Sequence, residues 1–359
     1  MISYQTANSK TRLKAIDLSI ETFKPNMALQ FTSLFSAQNQ KHMFLALDGD
    51  KVVSMVNYYP SKITLDGLQF KVGSVGSVCT HIDYRGQNIA SELLLKAEQA
   101  MRKEMIDFTI ISGGGGIYER FGARDVGYNH EYLISKESFP QNNSYLIRDY
   151  QSADFDKVYA LYKKEQYRYL RTKKEFKQLL SSQRVADTYC TYPMCVIEKN
   201  GTVVGYVIFN YYSEASDLWI KEFAGNRKDF YQAIHHILSQ YNKSSIHMVV
   251  PLNDSLNRLF NTKPHKIITQ EASLKVIHEA SFISKINQHF MRCQAPFTLE
   301  ISNEVYLLKG QNKELYLTDE ALLKLVFSGQ IDNPNWNKKE VKMMKLPLNL
   351  PWSHNLNYQ

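Results

Sequence analysis

The residues best placed to do chemistry lie in GSVCTHIDYRGQNIASELLLKAEQ, where a strand-like run ending near Thr80 passes through a tight connection at residues 83–88 into a helix. The first N–H groups of a helix have no partner within it, and the helix dipole puts partial positive charge there. Such a turn is suited to a phosphate or pyrophosphate. Arg85 adds a fixed positive charge with a fork of donors. Strand-to-helix turns with Arg and Gly also serve as plain connections, so an anion site and an ordinary turn are both open at this level. Downstream, Gly113 and Gly114 begin a run of four glycines that either lets a ligand approach the backbone closely or simply makes a flexible loop. Tyr118 follows, one of 23 tyrosines, and is equally readable as packed core. Cys79 could act as a nucleophile, but no His-containing motif partners it, so a buried strand cysteine is the expectation. The strand VGSVGSVCT carries no carboxylate. Asp83 and Glu119 are the nearest acids, on turn positions expected to be exposed.

These groups need a scaffold. From Met43 to His81, apolar runs are broken at Asp48-Gly49-Asp50 and Asp66-Gly67, which predicts three antiparallel strands joined by hairpins. IASELLLKAEQAMRKEM places Ile89, Leu93, Leu94, Ala97 and Met101 at helical spacing. IDFTIISGG reads as a buried strand, IYERFGARDVG as a short helix or turn, and HEYLIS as a further strand. The pattern then restarts: SYLIRDYQSADFDKVYALYKKEQ is a strand and a helix capped near Ser152 or Asp154, the run from Pro193 forms a hairpin at Asn200-Gly201, and RKDFYQAIHHILSQYN is a helix. Beyond Pro251 the chain carries helix ASFISKINQHF, strands FTLEIS and EVYLLKG, and helix TDEALLKLVFSG with Thr318 near its start. The tail KLPLNLPWSHNLNYQ has no period and should run extended over something.

Composition narrows the class. A chain of 359 residues suggests two or three domains, and 44% hydrophobic with 22% charged residues is an ordinary globular mixture. No signal-peptide pattern opens the chain and nowhere do about 18 apolar residues run together, so a cytoplasmic protein without membrane insertion is expected. The four cysteines form no CxxC pair and no His has ligand spacing; reduced thiols and no metal follow. The net charge of +8 comes from scattered lysines, and clusters such as Lys163-Lys164, Lys173-Lys174 and Lys338-Lys339 read as solvated helix faces, so no nucleic-acid partner is expected.

With these residues in view a family resemblance can be stated. Arg85-Gly86-Gln87-Asn88-Ile89-Ala90, after a strand and opening a helix, resembles the acyl-CoA signature Q/R-x-x-G-x-G/A of the GNAT acetyltransferases. Asn88 stands where the family has its first motif glycine; Asn adopts the left-handed backbone more readily than most residues. The resemblance implies that the loop amides of Gly86 to Ser91 bind the CoA pyrophosphate, that Val78, Cys79 and Thr80 offer backbone groups to the pantetheine arm and thioester carbonyl, and that Gly113 and Gly114 lie beside the cofactor. Tyr118-Glu119-Arg120-Phe121-Gly122 is similar to the family's Y-x-x-F-G element, whose tyrosine hydroxyl serves the departing thiolate.

The whole chain resembles the enhanced intracellular survival branch of that family, which implies an α/β fold of mixed sheets: residues 1–143 a catalytic GNAT domain, 144–262 a second GNAT-like domain without the CoA motif, and 263–359 a sterol-carrier-protein-like domain whose tail returns to the active site. EFAGNRKD at residues 222–229, where a second CoA loop would fall, lacks the signature. The resemblance further implies acetyl-CoA as co-substrate, a primary amine acceptor (an aminoglycoside-like molecule or a lysine side chain), a homo-oligomer, and the α-carboxylate of Gln359 as general base. The competing expectation is a non-catalytic GNAT scaffold that binds a lipid or protein partner.

Overall fold

Both hairpins expected from Asp48-Gly49-Asp50 and Asp66-Gly67 form in the computed structural model, which describes residues 1–182, 190–303, 305–310, 312–336 and 338–357. Asp66 (φ 49°) and Gly67 (φ 78°) supply the left-handed backbone that the second turn needs. The N-terminal elements are β1 (Ile2–Thr6), α1 (Ser9–Thr22), α2 (Met27–Gln30), β2 (Met43–Asp48), β3 (Lys51–Leu65), β4 (Leu68–Thr80), α3 (Ile89–Lys103), β5 (Phe108–Ile111), α4 (Gly116–Arg120) and β6 (Arg124–Asp125). A capping box starts α1: Asn8 Oδ1 accepts from the Lys10 and Thr11 amides, and Thr11 Oγ1 accepts from the Asn8 amide. In α3 the five positions at helical spacing, Ile89, Leu93, Leu94, Ala97 and Met101, are all buried against Phe44, Val53, Val56 and Val75. Each large side chain so buried contributes about 1.5–3 kcal/mol.

The next stretch holds β7 (Tyr128–Ser135), β8 (Tyr145–Asp149), α5 (Phe155–Tyr162), β9 (Tyr167–Tyr169), α6 (Lys173–Ser182), β10 (Met194–Lys199), β11 (Thr202–Asn210), β12 (Asp217–Gly225), α7 (Arg227–Gln240), β13 (Ser245–Pro251) and β14 (Lys266–Thr269). Asn200 and Gly201, both at positive φ, make the expected turn between β10 and β11. Asp154 does not cap α5 with its side chain; its carboxylate instead takes Arg148 at 2.7 Å and the Gln151 amide at 2.9 Å. The remainder comprises β15 (Ser273–Val276), α8 (Glu279–Arg292), β16 (Thr298–Ser302), β17 (Val305–Lys309), β18 (Glu314–Leu317), α9 (Asp319–Leu323) running into a π-helical turn at Lys324–Ser328, and α10 (Lys338–Met343). Thr318 Oγ1 caps α9 by accepting from the Ala321 amide.

Contacts gather the chain into two units. The first takes Met1–Gly127 and Gln270–Leu348; its main sheet has the order β1-β2-β3-β4-β5-β15-β6, and β16-β17-β18 form a separate small sheet. The second takes Tyr128–Thr269 and Asn349–Asn357, around a sheet of order β14-β7-β13-β12-β11-β10-β8. The strand HEYLIS therefore pairs with β13 and β14, while β15 lies between β5 and β6. Charged tethers hold that arrangement in the first unit. Glu98 on α3 accepts from Lys275 of β15 at 2.7 Å and from Arg102, which reaches Glu279 of α8 at 2.9 Å. Asp107, with no exposed surface, accepts from the Lys71 amide and Ser281 Oγ, both at 2.6 Å, and pairs with Lys285. Among the described residues no helix is long and apolar enough to cross a membrane.

Candidate active site

Two features of β4 prepare the site. Its parallel pairing with β5 runs only from Val72↔Phe108 to Val75↔Ile111, after which β5 ends and β4 continues to Thr80 beside β3. Its register against β3 shifts between Met55↔Cys79 and Asn57↔Gly76, and Ser77 takes φ 50° at that bulge. The backbone of Val78, Cys79 and Thr80 thus borders the gap left where β5 ends.

Past Thr80 the chain makes one tight turn at Ile82–Tyr84, pinned by the Tyr84 hydroxyl donating to Asp48 at 2.9 Å. Gly86 (φ 78°) and Asn88 (φ 60°, ψ 10°) then adopt left-handed backbone, and α3 opens at Ile89. Asn88 is thus the N-cap, with its side chain making no capping hydrogen bond. Among the described residues, the backbone N–H groups of Gly86, Gln87, Asn88, Ile89, Ala90 and Ser91 find no protein acceptor. Six adjacent donors at the positive end of a 15-residue helix are an anion cradle. Thr80 and Arg85 to Ser91 line a single cleft of about 290 Å³.

Ile117 and Arg120 of α4 close the same cleft. Arg120 was not anticipated. Its guanidinium lies over Gly116, where an added Cβ would stand 3.1 Å from Nη1, and among the described residues no hydrogen bond or ion pair engages it. Arg85, by contrast, folds back to donate from Nε to the Thr80 carbonyl at 3.1 Å. Sequence offered one faint signal for Arg120: it follows Tyr118 by two residues on one short helix.

Tyr118 is half-buried against the α3 core, and its hydroxyl comes within 4.0 Å of where a Cβ on Gly113 would sit. Gly113 (φ 133°) and Tyr118 are therefore brought together, whereas Gly114 has open space around it. Val78, Cys79, Gly113, Gly114 and Tyr118 do not line the cleft that holds Arg85 to Ser91. The Cys79 side chain points into the core with Leu18, Met43 and Met55, and burial pushes its thiol up to about 12. A thiol so placed stays protonated at neutral pH and is no nucleophile. Asp83 and Glu119 are exposed. The sequence-derived base, Gln359, lies outside the described residues. Among the described residues, no group of three or more His, Cys, Asp or Glu could hold a metal ion.

Residues 3–125, which carry every part of this site, match the family model for the acetyltransferase (GNAT) domain. No curated protein matches the chain. Solved structures are similar over almost its whole length. A GCN5-related N-acetyltransferase from Kribbella flavida gives a TM-score of 0.68 at 11% identity, covering 98% of each chain. Eis1 from Mycobacterium abscessus gives 0.68 at 12% identity, again with 98% of each covered. A probable N-acyltransferase from Enterococcus faecalis gives 0.66 at 16%, covering 88% of this chain and 84% of that one. At such identities the likeness is one of fold. The family match is thus to the N-terminal region, residues 3–125. Along the full length the fold is similar to that of Eis1.

Proposed function

We propose that the protein transfers the acetyl group of acetyl-CoA directly to a primary amine, on an aminoglycoside-like small molecule or a lysine side chain, within a ternary complex. The observation that carries this reading is the row of unpartnered amides from Gly86 to Ser91, sharing one cleft with Arg120. They match the needs of a pyrophosphate: several directed donors and positive charge, already in place before the ligand arrives. From there the pantetheine arm would follow the opening beyond Val75, which leads the thioester to the backbone of Val78, Cys79 and Thr80.

An alkylammonium has no lone pair, so the amine must first lose a proton. The family resemblance assigns that step to the Gln359 carboxylate, directly or through water. Attack of the nitrogen on the thioester carbon forms the C–N bond and puts negative charge on the carbonyl oxygen, which the β4 amides are placed to stabilise. Collapse breaks the C–S bond, the Tyr118 hydroxyl protonates the departing sulfur, and the proton that the nitrogen sheds as the amide forms restores the tyrosine.

A thiol-release assay with acetyl-CoA against a panel of amines tests the reading. Acceptor-dependent release with micromolar acetyl-CoA binding by calorimetry is the expected result, micromolar being about −8 kcal/mol. Absence of both would leave only a binding scaffold.

A further inference from the structure

Two side-chain oxygens of the first unit, Asn57 Oδ1 on β3 and Ser77 Oγ on β4, are buried atoms with no hydrogen-bond partner among the described residues. Both belong to the bulge. Between the pairs Met55↔Cys79 and Asn57↔Gly76, β3 has the single residue Val56 where β4 has Ser77 and Val78. The backbone assigned to the thioester, Val78 to Thr80, starts at the residue after Ser77.

Asn57 has no exposed surface, and the one hydrogen bond of its carboxamide runs from Nδ2 to Met55 Sδ at 3.5 Å, sulfur being a weak acceptor. That contact puts the side chain on the sheet face of Met43, Met55 and Cys79, where α1 packs through Ala15 and Leu18. Helix α3, with its amide cradle, packs on the opposite face against Val53, Val56 and Val75. A buried carboxamide oxygen without a donor has lost its water for nothing, and Leu would fill much the same volume without that loss.

A neutral primary amine supplies what is missing. It has two N–H groups to donate, and its lone pair must stay free to attack the thioester carbon. Two acceptor oxygens on neighbouring strands meet both needs. Neither is charged, so neither favours the ammonium over the amine, as a carboxylate would.

We infer that Asn57 Oδ1 and Ser77 Oγ seat the acceptor amine, each taking one N–H, and that they thereby select primary over secondary amines. This rests on the reading that the site transfers acetyl from acetyl-CoA to an amine.

The test uses the full chain, with a primary amine found by thiol release and its N-methyl derivative as acceptors. The unaltered protein should favour the primary amine in kcat/KM on the order of tenfold or more, because the methylated one leaves an acceptor oxygen unpaired. Asn57→Leu keeps the volume and removes the oxygen. The acceptor KM should rise on the order of tenfold and the preference for the primary amine should narrow, while acetyl-CoA affinity by calorimetry and Tm hold. Ser77→Ala should act in the same direction by a smaller factor. An unchanged preference in either variant overturns the seat. A lowered Tm or loss of folding in Asn57→Leu means that the carboxamide bonds within the protein, and it overturns the assignment too. No thiol release from the unaltered protein with any amine overturns the transfer reading and this role together, whereas the other outcomes leave that reading standing.

Discussion

Two helices of this protein start in the same way and end up electrically opposite. Each follows a strand whose parallel pairing with its neighbour stops short of its end, α3 after β4 and α7 after β12. At α3 the N-cap Asn88 is left-handed and its side chain makes no capping hydrogen bond, so the end amides keep their donors open. At α7 the N-cap Asn226 is extended (φ −65°, ψ 129°), and its Oδ1 accepts from the Lys228 and Asp229 amides at 2.9 and 3.2 Å. The cation at this second start, Arg227, is clamped by Glu165 at 2.7 Å and Asp254 at 2.8 Å. The same residue type thus opens one pole and fills the other, and the difference is its backbone conformation together with the carboxylates around it.

The comparison can be broken experimentally. The largest effect concerns the chemistry proposed for the first unit: Tyr118→Phe should lower kcat about a hundredfold with acetyl-CoA affinity unchanged, the typical loss for a general acid. Steady-state kinetics beside calorimetry would show this, and undiminished turnover would remove Tyr118 from the mechanism. Next, Asn88→Asp would give α3 the negative pole that α7 has. Acetyl-CoA affinity should drop roughly tenfold, about 1.4 kcal/mol, with less loss at high salt. Equal affinity would mean that the amide row does not bind the pyrophosphate. Emptying the other pole should have no functional counterpart. Asn226→Ala should cost about 1 kcal/mol in urea denaturation and leave acetyl-CoA binding at one site per chain. A second site appearing would show that Asn226 alone closes the second unit. Smallest of all, Cys79→Ser should change turnover less than about twofold, since a thiol titrating near 12 stays protonated across the working range. A rate that tracks thiol ionisation between pH 7 and 9 in the unaltered protein, and vanishes with the substitution, would contradict that.

What sequence showed of the site was local. Arg85 to Ala90 was readable because Gly86 and Asn88 tolerate positive φ just where an amphipathic helix begins, and Tyr118 because its element follows at the family's order. Arg120 was hidden because a guanidinium lying over Gly116 is a matter of side-chain direction, which spacing does not encode. Hairpins were legible for the same local reason: Asp66-Gly67 and Asn200-Gly201 carry their turn in two residues. Sheet membership was not. HEYLIS and SLKV both have the alternation of a half-buried strand, and nothing within either says that the first pairs with β13 and the second with β5. For SLKV the place beside β5 is held by groups distant in sequence, Glu98 with Lys275 and Asp107 with Lys285. Helix α1 escaped notice because its cap is Asn8 with Thr11, a weaker pattern than Ser or Thr followed by Glu.

The place of β15 has a consequence during synthesis. Strand β6 leaves the ribosome long before Ser273–Val276, which must slip between it and β5. At bacterial and eukaryotic elongation rates that interval is on the order of ten seconds. Throughout it the nascent N-terminal sheet carries a bare β5 edge, which makes the unfinished chain a natural client of chaperones that shield such edges.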